Sequence, residues 1–392
     1  MKKKLRVAIL ADYLEEGWPS MNLVAESIHS ALLPRLDVEA KLLRPPLPQP
    51  AGRLLGSRGR NFDRLAGRFF HYPRYLTQQL ANFDVYHVTD HSYAQLVNVL
   101  PPDRCLVTCH DIDTFRCLLQ TVLPNEAENR SPIFRWMSKR ILNGLRRAGH
   151  VACVSHATAK QLGATGWIPQ DRLSVLPNGI SEDYFEEPDA QSELWLGNWL
   201  RERNIQDKLF ILHVGSTIAR KRIDVLLKVM AGIRAQRPDV QLLRVGAPLN
   251  SEQSIMLREL GLEKNFHALP FLERKQLRTL YRRAALVLQP SSYEGFGLPV
   301  AEAMASQAVV LASDIESLRE VGGEGAQYCG VGDIADWINK ALFLLELRET
   351  LADRWVSLKE LGTLHVQQFR WSSVANSLVQ RYWNLVGLLD AS

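Results

Sequence analysis

Residues 286–305, LVLQPSSYEGFGLPVAEAMA, carry two carboxylates, Glu294 and Glu302, around a glycine-bearing loop that leads from an apolar strand into a helix. Pro299 fits the first helical turn, where its missing N–H loses no intrahelical partner. The amides of Gly297 and Leu298 then meet the positive end of the helix dipole, an anion site suited to phosphate. Gly295 and Gly297 allow close backbone approach to a ligand, and the two carboxylates would accept hydrogen bonds from sugar hydroxyls. Taken singly, Glu302 is equally a favourable first-turn charge and Glu294 a solvated loop residue.

Three further segments carry candidate groups. In HVGSTIARKRIDVLL, residues 213–227, a strand ends at Gly215, and the cations Arg220, Lys221 and Arg222 follow before a helix. Arg220 and Lys221 would neutralise a diphosphate as charge builds on it, with a solvated basic turn as the alternative; Arg222 is expected to start the helix facing solvent. In RCLVTCHDIDTF, His110 directly follows a strand and is a candidate for hydroxyl contact or proton transfer, or a hydrogen-bonded structural histidine. Between Leu42 and Leu76 stand Arg44, Arg53, Arg58, Arg60, Arg64, Arg68 and Arg74 with Asp63 as the only acid, interleaved with Phe62, Phe69, Phe70 and Tyr72. That stretch would suit an anionic acceptor or a phospholipid surface, or form a solvated basic helix.

Positioning such groups takes a large scaffold, and the 392 residues point to two domains. With 46% hydrophobic and 23% charged residues the composition is that of an ordinary globular protein. The net charge of +5 is too small in a chain this long to argue for nucleic acid as a partner. Five cysteines without zinc spacing read as reduced, buried thiols of a cytoplasmic protein. The basic start MKKKLRVAIL lacks a cleavage site and reads as a first buried strand, and no stretch is long and apolar enough for a membrane span.

Short apolar runs alternate with amphipathic segments, the pattern of βαβ units in a parallel sheet. One series runs from Leu5 to Leu176, with helices expected near 21–33, 60–80, 133–147 and 156–163. A polar, acidic stretch from Asn178 to about Lys208 reads as a linker. A second series opens at Leu209 with five strands, the last at Val309 to Ala312. The expected fold class is α/β: two Rossmann-like, doubly wound parallel-sheet domains, 1–180 and 181–370, facing a cleft.

The paired-glutamate pattern E-x7-E at Glu294 and Glu302, SDIESLREVGG after it, RKR after HVGS, SHATAKQL, VLPNGI and FRWSSVANSL together resemble glycosyltransferase family 4 over nearly the whole chain. The resemblance implies a GT-B fold and a retaining, metal-independent hexosyl transfer from a nucleotide diphosphate sugar. The acceptor would be a hydroxyl of a glycan, glycolipid or small molecule, as in polysaccharide biosynthesis. It implies that Glu302 binds the ribose, Glu294 the donor sugar, and Phe296, Gly297 and Leu298 approach sugar and phosphate through their backbone. Gly215, Arg220 and Lys221 would lie at the diphosphate, and His110 near the donor sugar from the acceptor-binding first domain. No cofactor besides the donor is implied, and the final helix, 371–392, would pack back on the first domain. Departures are Trp18 and Pro19 after Gly17 where paired glycines are usual, Ser216 where Arg is common, and Gln307 and Val309 where Gly and Pro are usual. Other readings are an epimerase or phosphorylase of two Rossmann halves, or a catalytically silent glycan-binding subunit.

Overall fold

The protein is described here from a computed structural model covering residues 4–119 and 131–390; the first three residues of the basic start lie outside them. The chain forms two compact units, Met1–Gly179 with Trp371–Ser392, and Ile180–Arg370.

The first unit is built on six parallel strands: β1 (Leu5–Leu10), β2 (Val38–Leu43), β3 (Val85–Val88), β4 (Cys105–Cys109), β5 (His150–Cys153) and β6 (Leu173–Val175). Their order is β2-β1-β3-β4-β5-β6. The inner strands β3 and β4 are buried along their whole length, as unbroken apolar runs in a sheet covered on both faces must be, whereas the edge strand β2 alternates. Strand order reverses between β1 and β3, which pair from Val7↔Val85 to Leu10↔Val88. Beyond the carboxyl ends of β1, β3 and β4 stand Asp12, Asp90 and His110, all buried.

The helix Pro132–Arg147 packs on the 3-10 segment His91–Val99, which sequence periodicity did not reveal. Gly144 is the contact point: a Cβ there would lie 1.9 Å from the Ala94 carbonyl oxygen. The final helix, Trp371–Asp390, is fixed to β3 and β4 through one imidazole. His87 meets the Tyr382 hydroxyl at 2.8 Å through Nδ1 and the Thr108 hydroxyl at 2.7 Å through Nε2. Burial drives the His87 pKa down to about 3, so it stays neutral at ordinary pH.

The expected helix over 60–80 starts earlier, at Pro50. Gly56 takes φ 60°, a kink that only glycine adopts without cost, and the Asp63 carboxylate accepts from the amides of Ala51 and Gly52. The run continues through a π-helical turn, Gly67–His71, to Thr77. All five cysteines are free and buried.

The second unit repeats the plan with β7 (Phe210–Val214), β8 (Gln241–Val245), β9 (Phe266–Leu269), β10 (Leu286–Gln289), β11 (Val310–Ser313) and β12 (Gln327–Cys329), in the order β12-β11-β10-β7-β8-β9. β12 is an addition to the five strands expected; with three residues, two of them half-buried, it has no apolar run to announce it. The acidic stretch is not a linker. Most of it belongs to the second unit, where Asp189 caps the helix Ala190–Arg201 and the stretch answers a buried arginine. Arg278 of the helix Arg274–Arg283 donates to the Asp183 carbonyl at 2.8 Å and pairs with Glu186 and Asp189. The acids expected in solvent are the counter-charges of that helix.

Replacing Gly144 by Ala should force the helix Pro132–Arg147 away from His91–Val99. Overpacking of this kind costs about 1–3 kcal/mol, and a thermal melt should show a first transition lowered by several degrees. An unchanged melt would mean that this contact is not tight in solution.

Candidate active site

In the second sheet the order reverses between β7 and β10, and in open α/β sheets the crevice outside the carboxyl ends at such a point is where ligands bind. The loops that leave these two strands carry both basic and acidic candidates. After β7 the chain passes Gly215 and forms a 3-10 turn, Ala219–Lys221. After β10 it forms the loop that ends at Gly297 and opens the helix Leu298–Ala305. A backbone bond from the Ser292 amide to the Arg220 carbonyl, 2.8 Å, ties the loops together.

Their side chains meet on Glu294. Lys221 Nζ donates to Oε1 at 2.5 Å and Arg220 Nη1 to Oε2 at 2.8 Å. Gln289 Nε2 and the Ser291 hydroxyl also donate to Oε1, at 2.9 and 2.8 Å. Arg220 Nη1 further donates to the Tyr293 carbonyl. Glu294 and Lys221 are buried. Burial opposes ionisation of Glu294, but Lys221 and Arg220 outweigh it with their charges, and hydrogen bonds from Lys221 and Ser291 add to them, bringing its pKa to about 2. Glu294 is therefore no solvated loop residue.

Glu302 lies one turn inside the helix and is equally buried, but its surroundings are different. The Tyr281 hydroxyl donates to Oε2 at 3.2 Å, and among the described residues no cation forms an ion pair with Glu302, Arg274 acting on it only at longer range. Burial raises its pKa to about 7, against the weaker opposing pull of Tyr281, Arg274 and Tyr184. One carboxylate of the motif is thus held ionised by the cations beside it, and the other is raised by burial that its tyrosines only partly oppose.

The remaining candidates frame this network. Gly297 opens the helix at φ 110°, and a Cβ there would also strike the Leu318 side chain at 2.5 Å, so both conformation and space require glycine. Leu298 begins the helix with Pro299 after it, and Phe296 is buried against the Phe369 ring at 5.4 Å. Gly215 accepts from Arg244 Nη2 at 2.9 Å through its carbonyl. Arg222 stands at the start of the helix Ile223–Gln236 as expected, in a left-handed conformation, φ 49°, and its half-exposed side chain pairs with Asp224.

His110, in the first unit, is buried with Nε2 2.8 Å from the Thr89 carbonyl, and its amide donates to His91 Nδ1. Because a carbonyl can only accept, Nε2 carries the proton in the neutral ring and Nδ1 is the acceptor. Burial lowers its pKa, with Asp90 pulling the other way. Among the described residues no group of three or more His, Cys, Asp or Glu is placed to hold a metal ion. Gln289, Ser291, Tyr281 and Tyr184 were not singled out from sequence. For Gln289 there was a signal, a polar residue closing the apolar run LVLQ; the tyrosines lie far from the motif in sequence and had none.

This architecture, with its paired switch-point sheets, is that of GT-B glycosyltransferases. The chain matches two family models, "Glycosyl transferases group 1" over residues 198–357 and "Glycosyltransferase Family 4" over residues 30–184. Each half of the chain thus matches a glycosyltransferase family model, and the two together are those of GT4-like glycosyltransferases. It is 27% identical over 276 residues to the MMP alpha-(1->4)-mannosyltransferase of Mycolicibacterium hassiacum, a match covering 67% of this chain and 61% of that one. Among solved structures it resembles sucrose-phosphate synthase from Thermosynechococcus elongatus, with TM-score 0.71, 21% identity and coverage of 99% and 100% of the two chains. It also resembles Anabaena HepE in complex with UDP-glucose, with TM-score 0.69, 15% identity and coverage of 97% and 100%.

The pKa of Glu302 gives the fold a pH signature. A carboxyl raised from its ordinary 4.5 to about 7 binds its proton more tightly when folded. Stability from that proton is present below pH 4.5 and is lost as pH rises through about 7. In Glu302→Gln the tyrosines keep an acceptor and the charge never forms. The variant should therefore gain on the wild type by on the order of 3 kcal/mol between pH 4.5 and 8 in denaturant unfolding. Parallel pH profiles would show that Glu302 is not buried in solution.

Proposed function

We propose that the protein is a retaining, metal-independent glycosyltransferase that moves a hexosyl group from a nucleotide diphosphate sugar to a hydroxyl of a glycan, glycolipid or small-molecule acceptor. The observation that carries this reading is the convergence, at the β7/β10 switch point, of Arg220, Lys221, the N-terminus of the helix Leu298–Ala305 and the two buried glutamates. The UDP-glucose complex of the structurally similar Anabaena protein supports a nucleotide-sugar donor.

In this reading Glu302 accepts from the ribose hydroxyls and Glu294 from the donor sugar. Its carboxylate is already ionised and oriented by four donors, so its position costs no reorganisation when the sugar arrives. Gly215, Phe296, Gly297 and Leu298 approach the sugar and phosphates through their backbone. Arg220, only partly buried, is the cation placed to meet a departing diphosphate; Lys221, which bonds Glu294, adds charge behind it. The acceptor hydroxyl attacks from the face the diphosphate leaves, so the C–O bond to the acceptor forms as the C–O bond to phosphate breaks and no protein nucleophile intervenes. The first unit is assigned the acceptor, and His110 Nδ1 is available to accept from a sugar hydroxyl.

Two measurements test the reading. Transfer should be unaffected by EDTA, because protein cations and helix amides supply the positive charge; complete loss restored by Mn²⁺ or Mg²⁺ would overturn metal independence. In calorimetry at about pH 8, above the Glu302 pKa of about 7, with UDP, GDP, ADP, CDP and TDP, one nucleotide should bind, and Glu302→Ala should weaken it by about 1.5–3 kcal/mol, as for hydrogen bonds to a charged group. Glu294→Ala should leave nucleotide affinity nearly intact while depressing turnover. Wild-type binding and turnover in both variants would sink the assignment.

A further inference from the structure

The first unit carries a surface that the transfer chemistry does not use. Two amphipathic segments, residues 50–77 and the helix Pro132–Arg147, meet where the Phe69 ring packs on Trp136, centroids 5.0 Å apart. The second helix repeats the charge pattern of the first. Arg135, Lys139, Arg140, Arg146 and Arg147 stand in it with no acid from Ser131 onward. The one acid of the first segment, Asp63, is buried and spent on the amides of Ala51 and Gly52. A third element joins them: Glu16 pairs with Arg68, and Arg64 donates to the Glu16 carbonyl, which holds the loop Leu14–Trp18 against the same segment.

All three elements leave large apolar side chains in water. Phe62 is 63% exposed, Phe70 66%, Ile133 60% and Trp18 55%, and Leu14 and Trp136 are also exposed. Arg53, Arg60, Arg74, Arg135, Lys139 and Arg140 are exposed among them, and the Arg140 guanidinium lies 5.9 Å from the centre of the Trp136 ring. Scattered apolar residues need no explanation, but this many on three adjoining elements, set among cations, mark an interaction surface.

We propose that this face docks on an anionic lipid bilayer, with Trp18, Phe62, Phe70, Ile133 and Trp136 entering the headgroup and acyl boundary and the arginines meeting lipid phosphates. Charge chooses the occupant. A second copy of the chain applied face to face would set arginine against arginine, because an isologous contact pairs a surface with itself. An anionic bilayer supplies the counter-charge and an apolar layer for the rings together, and aromatic side chains with cations around them are the composition of interfacial helices. Among the described residues no helix is long and apolar enough to cross a membrane, so docking would be from one side. The inference rests on the first unit alone and is independent of the donor assignment.

The test is flotation of the full chain with phosphatidylglycerol-containing vesicles against pure phosphatidylcholine vesicles. The chain should float with the first and not the second. Its binding should weaken as salt rises to about 0.15 M, where charge acts over roughly 8 Å. Arg53→Ser, Arg60→Ser and Arg74→Ser combined should weaken binding on the order of 10²-fold, taking roughly fivefold for each basic residue at an anionic surface. Phe62→Ser with Phe70→Ser should weaken it even at low salt. Nucleotide binding, measured in parallel, should be unchanged in both variants, which separates loss of docking from loss of fold and from failure of the transferase reading. Equal flotation with neutral vesicles, no flotation, unchanged flotation of both variants, or concentration-dependent dimers abolished by the same substitutions would each overturn the proposal.

Discussion

A carboxylate buried as deeply as that of Glu294 stays ionised only if every lone pair finds a donor and its charge finds a counter-charge. Four side chains do this: Lys221 and Arg220 from the turn after β7, and Gln289 and Ser291 from the end of β10 and its loop. Much of the second unit's organisation follows from that requirement. The two strands must be neighbours, their loops must leave at the same edge, and the loops must lie close enough for the Ser292 amide to reach the Arg220 carbonyl. Removing one partner would leave a buried charge unanswered, which costs about 3–5 kcal/mol, so the network binds the loops into a fixed pair.

The sheet order is what makes this geometry available. Where consecutive βαβ units wind outward, each loop has its own strand's neighbour beside it in sequence. At the β7/β10 reversal, loops separated by some seventy residues share one crevice, and groups of opposite charge can be brought together without either strand being interrupted. In the first sheet the same reversal between β1 and β3 sets Asp12 and Asp90 close enough to interact. There, among the described residues, no lysine or arginine forms an ion pair with Asp12, and burial with the Asp90 charge raises its pKa well above the ordinary carboxylate range against the pull of Arg68. The two units share an architecture, and at the first switch point Asp12 stands beside Asp90, which His91, His110 and the donors of Ser92 keep ionised against its burial.

Much of the scaffold was legible because apolar runs bounded by turn residues are the direct record of parallel strands. Strands are expected from the sequence at the places of β1 through β11, even at the partly alternating edge strand β2, and the E-x7-E segment announced its loop and helix through Gly297 and Pro299. What stayed hidden depends on distance in sequence. β12 is too short and too little buried to have a pattern, and the acids from Glu182 to Asp189 look like solvated linker until Arg278, some ninety residues later, is folded beside them. The bond between Lys221 and Glu294 is of the same kind. Sequence supplied a basic turn and an acidic loop as separate candidates for a ligand, and only the fold shows that they are partners of one another.

That mutual neutralisation changes what the basic turn can do. A lysine held 2.5 Å from a carboxylate offers an approaching diphosphate much less net charge than the triplet Arg220, Lys221 and Arg222 suggests, and Arg222 is itself engaged by Asp224. Positive potential at the crevice then comes chiefly from Arg220, whose guanidinium reaches Glu294 through one nitrogen, and from the opening turn of the helix Leu298–Ala305. The helix contribution is a fixed dipole that no neighbouring carboxylate can titrate away. Glu302 sits within that helix with a pKa raised by burial to about 7, so it carries less negative charge near pH 7 than an ordinary carboxylate while its oxygens remain acceptors for neutral hydroxyls. Different environments for two glutamates of one motif thus let the same crevice hold one carboxylate ionised and oriented and the other only partly charged beside the helix end.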